Sequence, residues 1–105
     1  MNERVKAPCN ECPWKKSSPP GYLGGNSVGM YSEPTRRGTP LPCHKTMEGD
    51  SSGWKACYGQ LTTMRNSCIL PVDENDKALR HSVPTDRENY FNHIHEFESH
   101  HEGVS

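Results

Sequence analysis

The four-cysteine pattern constrains this chain more than any other feature. Cys9 and Cys12 form a C-x2-C pair, Cys43 follows after thirty intervening residues, and Cys57 after thirteen more. Two thiolates at C-x2-C spacing can grip one soft metal, because the chain turns between them and both sulfurs face inward. Cys43 and Cys57 can complete such a site with two further thiolates. The odd total of five cysteines fits four ligands and one thiol left over, Cys68.

The rest of the composition makes a staple expected. Leu, Ile, Val and Phe together number fourteen of 105 residues, while Gly and Pro add eighteen. Ordering each residue costs about 1–2 kcal/mol of backbone entropy. A small chain this poor in aliphatics is expected to need a disulfide or a metal. The opening Met1-Asn2-Glu3-Arg4-Val5-Lys6 has no apolar run suited to an export signal. That predicts a reducing cytoplasm, where disulfides are rare, and so favours metal over disulfide. No segment is long and apolar enough to cross a membrane.

Charge is unevenly spread. Residues 1–68 carry nine Lys/Arg against five Asp/Glu, and residues 69–105 carry three against eight. The basic half also holds aromatics: Trp14 beside Lys15 and Lys16, Tyr31 ahead of Arg36 and Arg37, Trp54 beside Lys55. Cations hold phosphates and aromatic faces stack on bases, so this could be a nucleic-acid surface. The blander alternative is that Trp14 and Trp54 cover the metal site and the charges only solvate the exterior.

Along the chain, prolines on both sides of the C-x2-C pair stiffen its turn. Residues 17–42, rich in Ser, Pro and Gly, read as a long irregular loop, either a connector or a binding loop. Residues 51–68 read as the first helix, with Trp54, Tyr58, Leu61, Met64 (or Arg65) and Cys68 near helical spacing on one stripe. Ser51 or Ser52 could cap it, and Gly59 inside it costs about 1 kcal/mol relative to alanine. Cys57 then falls at the helix start, where the dipole favours a thiolate. Residues 72–84 read as a polar linker. A second helix is expected from Thr85, because Thr85-Asp86-Arg87-Glu88 matches a capping box, with an apolar stripe of Tyr90, Phe91, Ile94 and Phe97.

The expected ligands are therefore Cys9, Cys12, Cys43 and Cys57. Zinc is favoured on base rate. The alternative is an iron–sulfur cluster, which also takes four cysteines. His44, directly after Cys43, is expected to hydrogen-bond a ligand sulfur rather than bind the ion. Cys68 is expected to pack in the core, too far along the helix from Cys57 to share a metal. His95-Glu96 followed by His100 misses the zinc-protease spacing by one residue, so that motif is rejected. The histidines at positions 81, 93, 95, 100 and 101 read as a solvated tail, with a weak accessory metal site as the alternative. A thioredoxin-like role for Cys9 and Cys12 lacks the flanking strand and helix.

The order Pro8-Cys9-x2-Cys12-Pro13-Trp14-Lys15, then Cys43-His44-Lys45-Thr46, then Cys57-x-Gly59 resembles a family of small uncharacterised proteins. They occur mainly in bacteriophages, prophages and actinobacteria. The resemblance spans residues 8–61, and the acidic end from Tyr90 to His101 is similar in kind. It implies a phage-type accessory protein with a four-cysteine site, and it brings no catalytic residues.

The expected fold is a small metal-stabilised, loop-rich domain with two α-helices. Residues 1–71 would form the four-cysteine core, 72–84 a linker, and 85–105 an acidic helix and tail of the same domain. The expected role is a non-enzymatic accessory or regulatory protein of the cytoplasm (the host's, if phage-encoded). It would bind a host protein or nucleic acid. An iron–sulfur protein with a redox or sensing role is the alternative.

Overall fold

A computed structural model describes residues 3–6, 12–21, 23, 27–43 and 54–102. Four short helices run in the order α1 (Gly29–Arg36), α2 (Tyr58–Asn66), α3 (Glu74–His81) and α4 (Ile94–Glu102). They pack in pairs, α2 on α3 and α1 on α4. Among the described residues there is no strand, only isolated bridges. Ala56 sits between two extended segments, bridged in parallel to Arg4 and antiparallel to Pro42.

The expected fold class is corrected on two counts. Among the described residues there are four helices where two were expected. Among the described residues, no group of three or more His, Cys, Asp or Glu side chains could hold an ion. Two apolar clusters form the core. One joins Cys12, Trp14, Leu23, Val28, Tyr90, Phe91 and Phe97. The other joins Ala56, Leu61, Met64, Leu79 and Val83, and Tyr58 packs against both.

Buried amides and hydroxyls replace the missing aliphatics. On α2 the residues Gln60, Thr62, Thr63 and Asn66 are all buried. The Gln60 side chain accepts from the Leu41 amide at 2.6 Å and donates to Thr35 Oγ1 at 2.8 Å and to the Thr39 carbonyl at 3.0 Å. Asn66 donates to the carbonyls of Asp86 and Phe91 and accepts from the Asp86 amide. Each such bond contributes about 0.5–1.5 kcal/mol net. A half-satisfied hub would cost more than it gains. α2 thus acts as a polar pillar to which the loops before and after it are tied.

Local chemistry explains the unexpected helices. Asp73 caps α3, its carboxylate accepting from the amides of Asn75 and Asp76. The final helix starts at Ile94, nine residues after Thr85. Asp86 instead holds a turn by accepting from Asn89. Glu96 reaches back to the amides of Asn92 and His93, the work a capping-box glutamate does. α1 lies inside the expected loop and contains Pro34.

α1 and α2 end in the same way. After α1, the Thr39 amide bonds the Pro34 carbonyl and the Gly38 amide bonds that of Thr35, with Gly38 at φ +72. After α2, the Ile69 amide bonds Met64 and the Cys68 amide bonds Arg65, with Cys68 at φ +60. Both are Schellman caps, whose left-handed residue is usually glycine. Cys68 is therefore exposed at a helix terminus, which corrects the expected core position. A left-handed conformation costs an L-residue about 1–2 kcal/mol. Cys68→Gly should raise stability by about 1 kcal/mol, less the entropy glycine adds to the unfolded chain. A urea melt of the variant that shifts to lower denaturant would contradict this.

Candidate thiol centre

Cys57 is the N-cap of α2, with an extended backbone. Cys12 enters from the loop ahead of Trp14. The two sulfurs, forty-five positions apart in sequence, meet as a hydrogen-bonded pair. That contact, burial and the charge Cys12 would carry push the Cys57 thiol well above its ordinary pKa. The amides of Gly59 and Gln60 pull the other way, although neither makes a geometrically sound capping bond. Without a cation, then, Cys57 holds its proton.

Gly59 makes the meeting possible. A Cβ built there would lie 2.4 Å from Cys12 Sγ, 2.9 Å from Trp14 Cβ and 3.1 Å from Tyr90 Cε1. Cys12, Trp14 and Tyr90 therefore close over the first turn of α2 where a side chain would otherwise stand. Tyr90 is buried, and its hydroxyl has no hydrogen-bond partner. Burial first, and then the neighbouring Cys12, push its pKa upward. The phenol is thus a buried donor that hydrogen-bonds neither sulfur.

The wall is aromatic. Trp14 stacks on Phe97 at 4.1 Å between ring centroids and meets Tyr31 edge-on at 6.3 Å. It is 1% exposed, so it covers Cys12 and cannot stack on a base. α4 is fastened to the Cys12 loop by two histidines. His101 accepts from the Gly21 amide at Nδ1 and donates from Nε2 to the Pro13 carbonyl at 2.8 Å. That fixes the neutral tautomer with its proton on Nε2. His100 donates to the Ser18 carbonyl. Of the histidines expected to be solvated, His81, His93 and His95 are exposed, the last two stacked on each other, while His100 and His101 are not.

Of the other expected site residues, Cys43 is buried. Its amide bonds the Lys55 carbonyl, and the Cys57 amide bonds the Leu41 carbonyl. Alternation along these paired segments places Cys43 and Cys57 on the face opposite Pro42 and Ala56. Trp54 is half-buried, and its indole N–H has no acceptor. Cys9 and His44 lie outside the described residues. Sequence reasoning missed Tyr90 as a neighbour of the sulfurs. It also missed why Gly59 must be glycine, because both follow from a tertiary approach with no local signal.

No protein-family model matches the chain, and neither the curated proteins nor the solved structures contain a significant match. No helix among the described residues is long and apolar enough to cross a membrane.

Proposed function

We propose that this is a small non-enzymatic accessory protein. Its function would be to hold one zinc ion on thiolates at the start of α2 and to present the surrounding surface to a protein partner. The carrying observation is the Cys12–Cys57 sulfur pair, gathered across the chain and given room by Gly59. The donor chemistry suits a soft or borderline cation: two thiols, Cys12 buried and Cys57 partly so, that must each give up a proton to bind. Cys9 and Cys43 are the further ligands in this reading, and the resemblance to the phage-type four-cysteine family supports it. The ion is proposed for function; the fold itself rests on the two apolar clusters and the polar pillar. A protein partner is favoured over nucleic acid because Trp14 is spent in the core.

Metal analysis of anaerobically purified protein tests this. About one zinc per chain is expected, lost in Cys12→Ser and Cys57→Ser and kept in Cys68→Ser. A coloured, oxygen-sensitive preparation with iron and sulfide would replace zinc by a cluster. A metal-free wild-type protein that takes up neither would end the proposal.

A further inference from the structure

The end of α4 is tied to the loop of residues 12–21 through one imidazole whose two nitrogens are both committed. His101 is 4% exposed. Its Nδ1 accepts from the Gly21 amide at 3.0 Å, and its Nε2 donates to the Pro13 carbonyl at 2.8 Å. Loop and helix meet closely there: Gly21 stands at φ +81, and a Cβ built on it would lie 3.8 Å from the His101 carbonyl. The ring also packs edge-on against Phe97 at 4.7 Å and Phe91 at 6.4 Å between centroids.

Both bonds together need the neutral ring. A protonated imidazole carries a hydrogen on each nitrogen and accepts at neither. Its Nδ1–H would face the Gly21 N–H, donor against donor, among aromatic rings. We infer that His101 is a pH-sensitive latch: protonation breaks the Gly21 bond and lets the end of α4 lift from the loop that carries Cys12 and Trp14.

The surroundings oppose the charge. Burial lowers the His101 pKa most, and the neighbouring His100, 4.8 Å away between ring centroids, adds to it; the Pro13 carbonyl pulls the other way. The remaining charges on the elements packed around the ring are engaged elsewhere or do not act on it. On α1 and α4, Arg36 pairs with Glu98 and Arg37 with Glu33, while Glu102 is exposed. On the loop, Lys16 reaches the Arg87 carbonyl, and Lys15 and the Cys12 thiol are the other titratable groups. Before α4 come Tyr90 and the exposed His93. Among the described residues no carboxylate favours the imidazolium. Stability from the latch is therefore complete above the ordinary histidine value of about 6.5. It is lost as pH falls from there through the lower folded value. The latch rests on Pro13 and Gly21 and stands without the zinc reading.

NMR of the full-length protein from pH 8 to 5 tests it, with a chelator present so that loss of an ion contributes nothing. Imidazole 15N shifts should show His101 with its proton on Nε2 at pH 8 and doubly protonated by pH 5. At the same midpoint the Gly21 amide should shift. Hydrogen-exchange protection of residues 98–102 should fall about tenfold, the size of one hydrogen bond, while α2 keeps its protection. His101→Gln, whose amide can make both bonds without titrating, should abolish the step. His100→Gln should keep it at slightly higher pH, because a repelling charge is gone. If His101→Gln does not fold, coincidence of the wild-type midpoints decides. Protonation of His101 with Gly21 and α4 unmoved, no protonation by pH 5, or an undiminished step in His101→Gln would overturn the latch.

Discussion

Gly59→Ala should be among the most damaging single substitutions in this protein, although helix propensity says the opposite. Alanine in place of a helical glycine gains about 1 kcal/mol. Here the new methyl would stand 2.4 Å from the Cys12 sulfur and 2.9 Å from Trp14 Cβ, both fixed in the core. Separations under 3 Å force atoms to move. The loop holding Cys12 cannot retreat without losing the bonds that Pro13 and Gly21 make to His101. Overpacking of this kind costs about 1–3 kcal/mol and occasionally more, so the net result should be a loss of about 2 kcal/mol or greater. Chemical denaturation would measure it. The reading of the thiol centre requires that the variant also lose the Cys12–Cys57 contact, seen as faster alkylation of both thiols. A variant more stable than wild type would show that the glycine is there for some other reason.

Phe97→Ala should be larger still. Phe97 is fully buried, stacks on Trp14 and meets Phe91 edge-on at 5.9 Å. Removing a buried phenyl ring costs about 3–5 kcal/mol. A small domain has about 5–15 kcal/mol in all, so that loss takes a large share of it. The variant should be largely unfolded at 37 °C by circular dichroism. Val72→Ala, at a side chain 88% exposed, should change stability by no more than about 0.5 kcal/mol. Comparable melting of the two variants would mean that the aromatic cluster is not the core it is described to be.

Sequence reasoning reached some of this and missed the rest for identifiable reasons. Cys57 at the start of a helix was legible, because spacing and dipole chemistry are local. So was the apolar stripe of Tyr90, Phe91, Ile94 and Phe97, all four of which are buried. The stripe's helix was placed too early. Thr85-Asp86-Arg87-Glu88 matches a capping pattern, but Asp86 spends its carboxylate on a turn and Glu96 supplies the real cap. α3 was signalled by Asp73 and hidden by its polarity, with Leu79 its one buried residue. α1 was hidden by Pro34 and the glycine-rich stretch before it. The largest error was energetic. Counting aliphatics predicts a chain that needs a metal staple. Gln60 and Asn66 show that buried side-chain amides can organise an interior if every partner is supplied. Such partners come from residues about twenty positions away, and no local pattern announces them.

The span of the contacts around Cys12 has a consequence for synthesis. Lys15 pairs with Tyr90, Trp14 stacks on Phe97, and Pro13 is held by His101, so the first-made part of the thiol centre is walled by the last-made helix. A chain emerging from the ribosome at about 5–20 residues per second would carry Cys12 exposed for several seconds before α4 could cover it. The α2–α3 pair, by contrast, closes from neighbours in sequence and can form early. During that interval the nascent protein is an open thiol, available to whatever cation or electrophile the surroundings offer, and only completion of α4 ends the exposure.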